Sequence, residues 1–190
     1  MPRAKQYSVE DVLAKAVRRF STHGYHATSV VDLEQCMGIH RASIYSVFGS
    51  KRGLFMSALR SKIERYEATL REIVNQSATP AAALRNMFVG AVNDCGFIVG
   101  TAVELAAHDD EIGRIVAEVW SEIESLFGML IEEGQSAGEI VAHVDPIPTA
   151  RALLGLCLGS GVIGEPLLLQ VMTLVPPAPS GPTLNGSSPL

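Results

Sequence analysis

The three cysteines, Cys36, Cys95 and Cys157, form no CxxC pair and no closely spaced set. That removes the usual zinc and thioredoxin-like arrangements, and an odd number of thiols cannot all be closed into intrachain disulfides. The pattern is that of reduced thiols in a cytosol. Aromatic residues are scarce at 6%, with a single tryptophan, Trp120. The most apolar stretch, ALLGLCLGSGVIG, is interrupted by glycines and falls short of the ~20 residues a membrane helix needs. MPRAKQYSVEDV, at the start, has no apolar signal-peptide core. A cytoplasmic protein without a membrane partner is expected. Sustained strand alternation is missing, as is any Ser-His-Asp, paired-carboxylate or His-rich spacing, so neither an enzyme nor a metal or cofactor site is expected.

What is present is a globular chain of 190 residues, 47% of them hydrophobic. At that size folding buries roughly 70% of the unfolded surface. The net charge of −5 conceals an asymmetry: residues 1–65 hold 11 of the 15 Lys and Arg but 5 of the 20 Asp and Glu, a charge of +6, and the remainder carries −11. A basic end suits a polyanion, because local field rather than net charge steers binding.

Apolar residues recur at helical spacing from residue 8 onward, which predicts an all-α fold. Val9, Val12, Leu13, Ala16, Val17 and Phe20 share one face of a first helix, with Ser8 as cap, Asp11 answering it, and Gly24 suited to a left-handed stop. Thr28 is read as the cap of a second helix ending at Gly38, and a very short third helix runs from about His40 to Phe48. Ser50 caps a long helix over 51–75 whose buried stripe is Leu54, Phe55, Ala58, Leu59, Ile63 and Tyr66. Further helices are predicted over 80–94, 96–107, 109–137 and 148–163, with a last short one over 166–174. The Pro-, Gly- and Ser-rich tail over 175–190 is expected to be disordered.

Two short helices joined by a glycine turn, with a helix before them, make a helix-turn-helix, whose second short helix enters the major groove. The stretch HATSVVDLEQCMGIHRASIYSVFGSKRGLFMSAL resembles the DNA-binding part of the TetR family of bacterial transcriptional regulators. The likeness rests on the Thr-Ser-Val opening of the second helix, the Gly-aliphatic turn, the aliphatic-Tyr-x-x-Phe of the third, and the Ser-Lys-x-x-Leu-Phe opening of the fourth. It implies a DNA-binding part over 1–50 with a linking helix over 51–75, and an effector-binding and dimerisation part over 76–174. It also implies three partners: a double-stranded operator, a small-molecule effector that releases a repressor from it, and a second copy of the chain.

Carried over residue by residue, Thr28 and Ser29 would hold a phosphate, as would Tyr45 and Lys51. His40, Arg41, Ala42 and Ser43 would face the bases, with Arg41 suited to bidentate contact with guanine. His40 stands where the family often has a small hydroxyl residue. In the second half, Phe88, Cys95, Phe97, Trp120 and Phe127 are candidates for an effector pocket, although an aromatic at helical spacing is more often plain core. Cys95-Gly96 reverses the Gly-Cys order of one electrophile-sensing subgroup. Redox sensing through Cys95 is therefore an alternative, as is a helical interaction protein that no longer binds DNA. Cys36 and Cys157 read as core.

Overall fold

The computed structural model describes residues 8–163; the helix predicted over 166–174 and the tail over 175–190 lie outside them. Eight helices follow one another: α1 (Val9–His23), α2 (Val30–Met37), α3 (Arg41–Phe48), α4 (Lys51–Gln76), α5 (Pro80–Asp94), α6 (Gly96–Thr101), α7 (Asp110–Ser136) and α8 (Pro146–Ile163). The described residues contain no strand. α6 does not continue as the single helix predicted to residue 107; it widens into a π-helical turn over Ala102–Ala106.

Most helix starts follow from local chemistry. Ser50 accepts the Gly53 N–H at 2.9 Å, and Thr79 accepts that of Ala82, with Pro80 in the first turn where its missing N–H costs nothing. Asp109 accepts from Glu111 and Ile112. Three expectations need correction. Ser8 stands at the start of α1, but its side chain makes no cap hydrogen bond. The cap of α2 is Ser29, not Thr28: Ser29 Oγ accepts the Asp32 N–H at 3.1 Å while Asp32 Oδ2 accepts the Ser29 N–H at 2.8 Å. Thr28 is fully buried and donates its hydroxyl to the Gly24 carbonyl at 2.7 Å, fastening the α1–α2 turn from inside. Gly24 itself has φ 78° but ψ 171°, so it ends α1 with positive φ outside the left-handed helical region.

One continuous core runs from Val12 through α4 to Cys157. α4 is its spine. Leu54, Phe55, Ala58, Leu59, Ile63 and Tyr66 are buried as predicted, joined by Met56 and Leu70, and each large apolar side chain so buried contributes about 1.5–3 kcal/mol. The N-terminal part of α4 packs on α1 and α3, and α5 packs along it. The Tyr66 hydroxyl donates to the Ala91 carbonyl, fixing α4 to α5. α7 then packs on α5 and α8. Two expected core residues lie elsewhere: Val9 is 57% exposed and Cys36 is exposed. Val9 and Cys36 sit off the buried faces of their helices, which are Val12, Ala16 and Phe20 in α1 and Leu33 and Met37 in α2.

Candidate nucleic-acid interface

α2 and α3 meet at Gly38, whose left-handed backbone (φ 72°, ψ 26°) reverses the chain. Leu33, Met37, Ile39 and Ile44 seal the angle between them. With that face fixed, α3 presents Arg41, Ala42, Ser43, Tyr45, Ser46 and Val47 to solvent. His40 caps α3 by backbone only, its side chain 96% exposed. The capping acceptor is instead Glu34, which takes the Arg41 N–H at 2.9 Å and lies 3.8 Å from the His40 ring. Glu34 was not singled out in the sequence, and no local capping pattern spans the seven positions that separate it from Arg41.

Arg41 and Tyr45, one turn apart, act as a unit. The guanidinium donates to the Tyr45 hydroxyl at 3.3 Å and stacks 5.4 Å from the ring centre. A planar donor fork and a phenol are thus held together on the exposed face, the pairing that base edges and phosphates both accept.

The predicted phosphate contacts fare unequally. Ser29 is exposed at the start of α2, bound to Asp32, whose carboxyl is held below its usual range by the Ser29 hydroxyl, then by the Ser29 N–H and Arg19. Thr28 is a correction: its hydroxyl is buried and committed to Gly24, so it does not face a phosphate. Lys51 is half-buried, with its ammonium 4.2 Å from the centre of the Tyr25 ring. Burial lowers its pKa, and the nearby Glu104 carboxylate partly offsets that.

The basic charge of the N-terminal end is not all turned outward. Arg19 pairs with Asp32 at 3.2 Å, and Lys15 donates to the Met37 carbonyl at 3.2 Å, both within the helix-turn-helix. Arg52 binds Asp109 and Glu111 at 2.9 Å each, Arg60 binds Glu111 at 3.0 Å, and Lys62 pairs with Asp94. The hydrogen bonds of Arg52 hold the carboxyls of Asp109 and Glu111 below their usual range. Part of the charge asymmetry therefore fastens α4 to the acidic second half.

The five pocket candidates do not gather round one cavity among the described residues. Phe88, Cys95 and Phe127 are core, the two rings 6.5 Å apart. Trp120 lines a groove between α7 and α8 of about 700 Å3, and Phe97 lines a cavity of about 230 Å3 between α1 and α6. Burial pushes the Cys95 thiol up; Lys62 works against that shift, but is itself paired with Asp94. A buried, protonated thiol is chemically inert. Among the described residues no group of three or more His, Cys, Asp or Glu is placed to hold a metal ion, and no single helix is long and apolar enough to cross a membrane.

Residues 12–58 match the family described as bacterial regulatory proteins, tetR family. Across 148 residues the chain is 30% identical to the uncharacterised HTH-type transcriptional regulator YezE of Bacillus subtilis, covering 74% of this chain and 76% of that one. It is 27% identical over 169 residues to the HTH-type transcriptional repressor ComR of Escherichia coli, covering 84% and 80%. Its fold is shared with the TetR family regulator CifR, solved as a cysteine mutant with 26-bp operator DNA, at TM-score 0.71, 21% identity and 92% coverage of each chain. The chain therefore belongs to the TetR family and is a DNA-binding transcriptional regulator.

Proposed function

We propose that the protein is a homodimeric repressor that a small-molecule effector releases from its operator. The carrying observation is the exposed α3 face, where Arg41 and Tyr45 are pre-assembled beside Ala42 and Ser43 on a helix whose other side is sealed into the core. Arg41 and Ser43 read base edges, with His40 at the tip; Ser29, Tyr45 and Lys51 hold phosphates. Lys51 reaches a phosphate by leaving the Tyr25 ring. The names of ComR as a repressor and of CifR with operator DNA support the same reading.

Residues 1–50 form the reading head, 51–75 the link, and 76–174 the effector and dimerisation part. Two recognition helices must reach successive major grooves about 34 Å apart, which calls for a dimer. α8 supplies a surface for it: Ala150, Leu154 and Cys157 face inward, while Ala152, Gly155 and Leu156 leave a small, apolar face exposed. An effector acts by preferring the conformer whose heads are wrongly spaced. The role is binding rather than catalysis, and its place is the cytoplasm, where the DNA is.

The test is fluorescence anisotropy against duplexes drawn from the DNA flanking the gene, over a salt series. Saturable binding of one fragment by two protomers per site, with affinity falling steeply with salt, is expected. Equal and weak binding to every duplex, including those from a random library, would sink the proposal.

A further inference from the structure

α3 exposes a single aliphatic side chain larger than alanine, Val47, at 62%. Core packing does not account for it, and a β-branched residue is a poorer helix former than alanine, so local propensity does not either. A lone exposed valine ordinarily asks for no explanation, but this one stands on the recognition helix. Ile44 points into the core, and at roughly 100° per residue Arg41 and Tyr45 fall to one side of it and Ser43 and Val47 to the other. Ala42 and Ser46 lie opposite the core. The outward surface of α3 therefore has a cationic, aromatic edge, a middle of small side chains that lets the helix approach base edges closely, and a second edge where Val47 stands one turn beyond Ser43.

The major groove offers an aliphatic side chain one kind of apolar partner, the C5-methyl group of thymine; the other groups by which bases are told apart there are hydrogen-bond donors and acceptors. We propose that Val47 reads a thymine methyl and so specifies one T·A pair in each half-site, in addition to the base that Arg41 reads. The inference rests on the reading of α3 as the groove helix and adds a residue and a base to it. Contact takes the valine methyls and the thymine methyl out of water together, a gain that unmethylated cytosine does not supply.

The probe is the tightest duplex that the wild-type full chain recovers from a random library, with its thymines replaced by deoxyuridine one symmetric pair at a time. That exchange removes the methyl and keeps every hydrogen-bonding group. Fluorescence anisotropy should show one thymine position at which uracil weakens binding about fourfold per half-site, the worth of one buried methyl group. Val47→Ala should bind the thymine duplex more weakly by a similar factor and no longer tell thymine from uracil there, while melting as cooperatively as the wild type. With a C·G pair at the same position, 5-methylation of the cytosine should strengthen binding by the wild type and leave Val47→Ala indifferent. Uracil that changes nothing at any position overturns the proposal, as does a thymine preference or a methylation response that survives in Val47→Ala. A library that yields no preferred duplex overturns the reading of α3 itself, and this proposal with it.

Discussion

Glu104 accepts the backbone N–H of Tyr25 at 2.7 Å across 79 positions of sequence, and its other oxygen accepts the N–H of His26 at the same distance. A carboxylate in the π-helical turn after α6 thus holds the turn that leads into α2, with Gly24 leaving it room: a Cβ there would lie 2.8 Å from Glu104 Oε2. Glu104→Gln keeps one acceptor and replaces the other with a donor facing an N–H. We expect a loss of about 1–2 kcal/mol in a half-exposed setting, read as a lower urea midpoint and faster amide exchange at Tyr25 and His26. Unchanged exchange at those two amides would show that the clasp is not closed in solution.

Arg41→Ala should relax preference at one base pair per half-site by about 1–3 kcal/mol. Ser29→Ala and Tyr45→Phe should instead weaken all duplexes alike, and Lys51→Ala should in addition lower the salt slope by about 1. Binding to single-position operator variants separates the two classes. A uniform loss from Arg41→Ala would make it a phosphate ligand.

Gly53→Ala tests how closely α3 and α4 approach. A Cβ at that position would lie 1.9 Å from the Phe48 carbonyl oxygen, a backbone atom that cannot swing away. A loss of about 1–3 kcal/mol is expected from the forced backbone shift, visible in the urea midpoint.

Asp32, Asp109 and Glu111 all have carboxyls held below their ordinary values of 3.8, 3.8 and 4.5. Each gives up its proton more readily folded than unfolded. Their contribution is therefore present above those values and lost as pH falls through the lower folded ones. Urea midpoints should drop between pH 5 and pH 2, and Arg52→Ala should flatten the Asp109 and Glu111 share of that drop.

Thiol alkylation should distinguish the cysteines. Cys36 is exposed, whereas Cys95 and Cys157 are buried, and burial, followed by the neighbouring Cys95, pushes the Cys157 thiol up to about 12. One label per chain is expected under native conditions, lost in Cys36→Ser, and three in denaturant. Rapid native labelling of Cys95 would revive the sensing alternative.

Local chemistry determined much of this protein. The Gly38 turn, the Ser50 cap, Pro80 at a helix start and the period-3.6 stripe of α4 are relations within four or five residues, so spacing alone carries them. The same holds for the α3 face, where Arg41 and Tyr45 are neighbours simply because they lie one turn apart. Tertiary structure decided what involved distant residues. The burial of Thr28 is tertiary, whereas the Ser29–Asp32 capping box that replaces it as cap lies within three residues and is itself local. Tertiary structure placed Glu34 at the start of α3 and Glu104 on the α1–α2 turn. It spent Arg52, Arg60 and Lys62 on carboxylates from 32 to 59 positions away, charge that composition had reserved for a polyanion. The physical reason is one of range: helical period and capping act over a single turn, whereas a carboxylate finds its amide or its arginine only after the core has brought separate helices together.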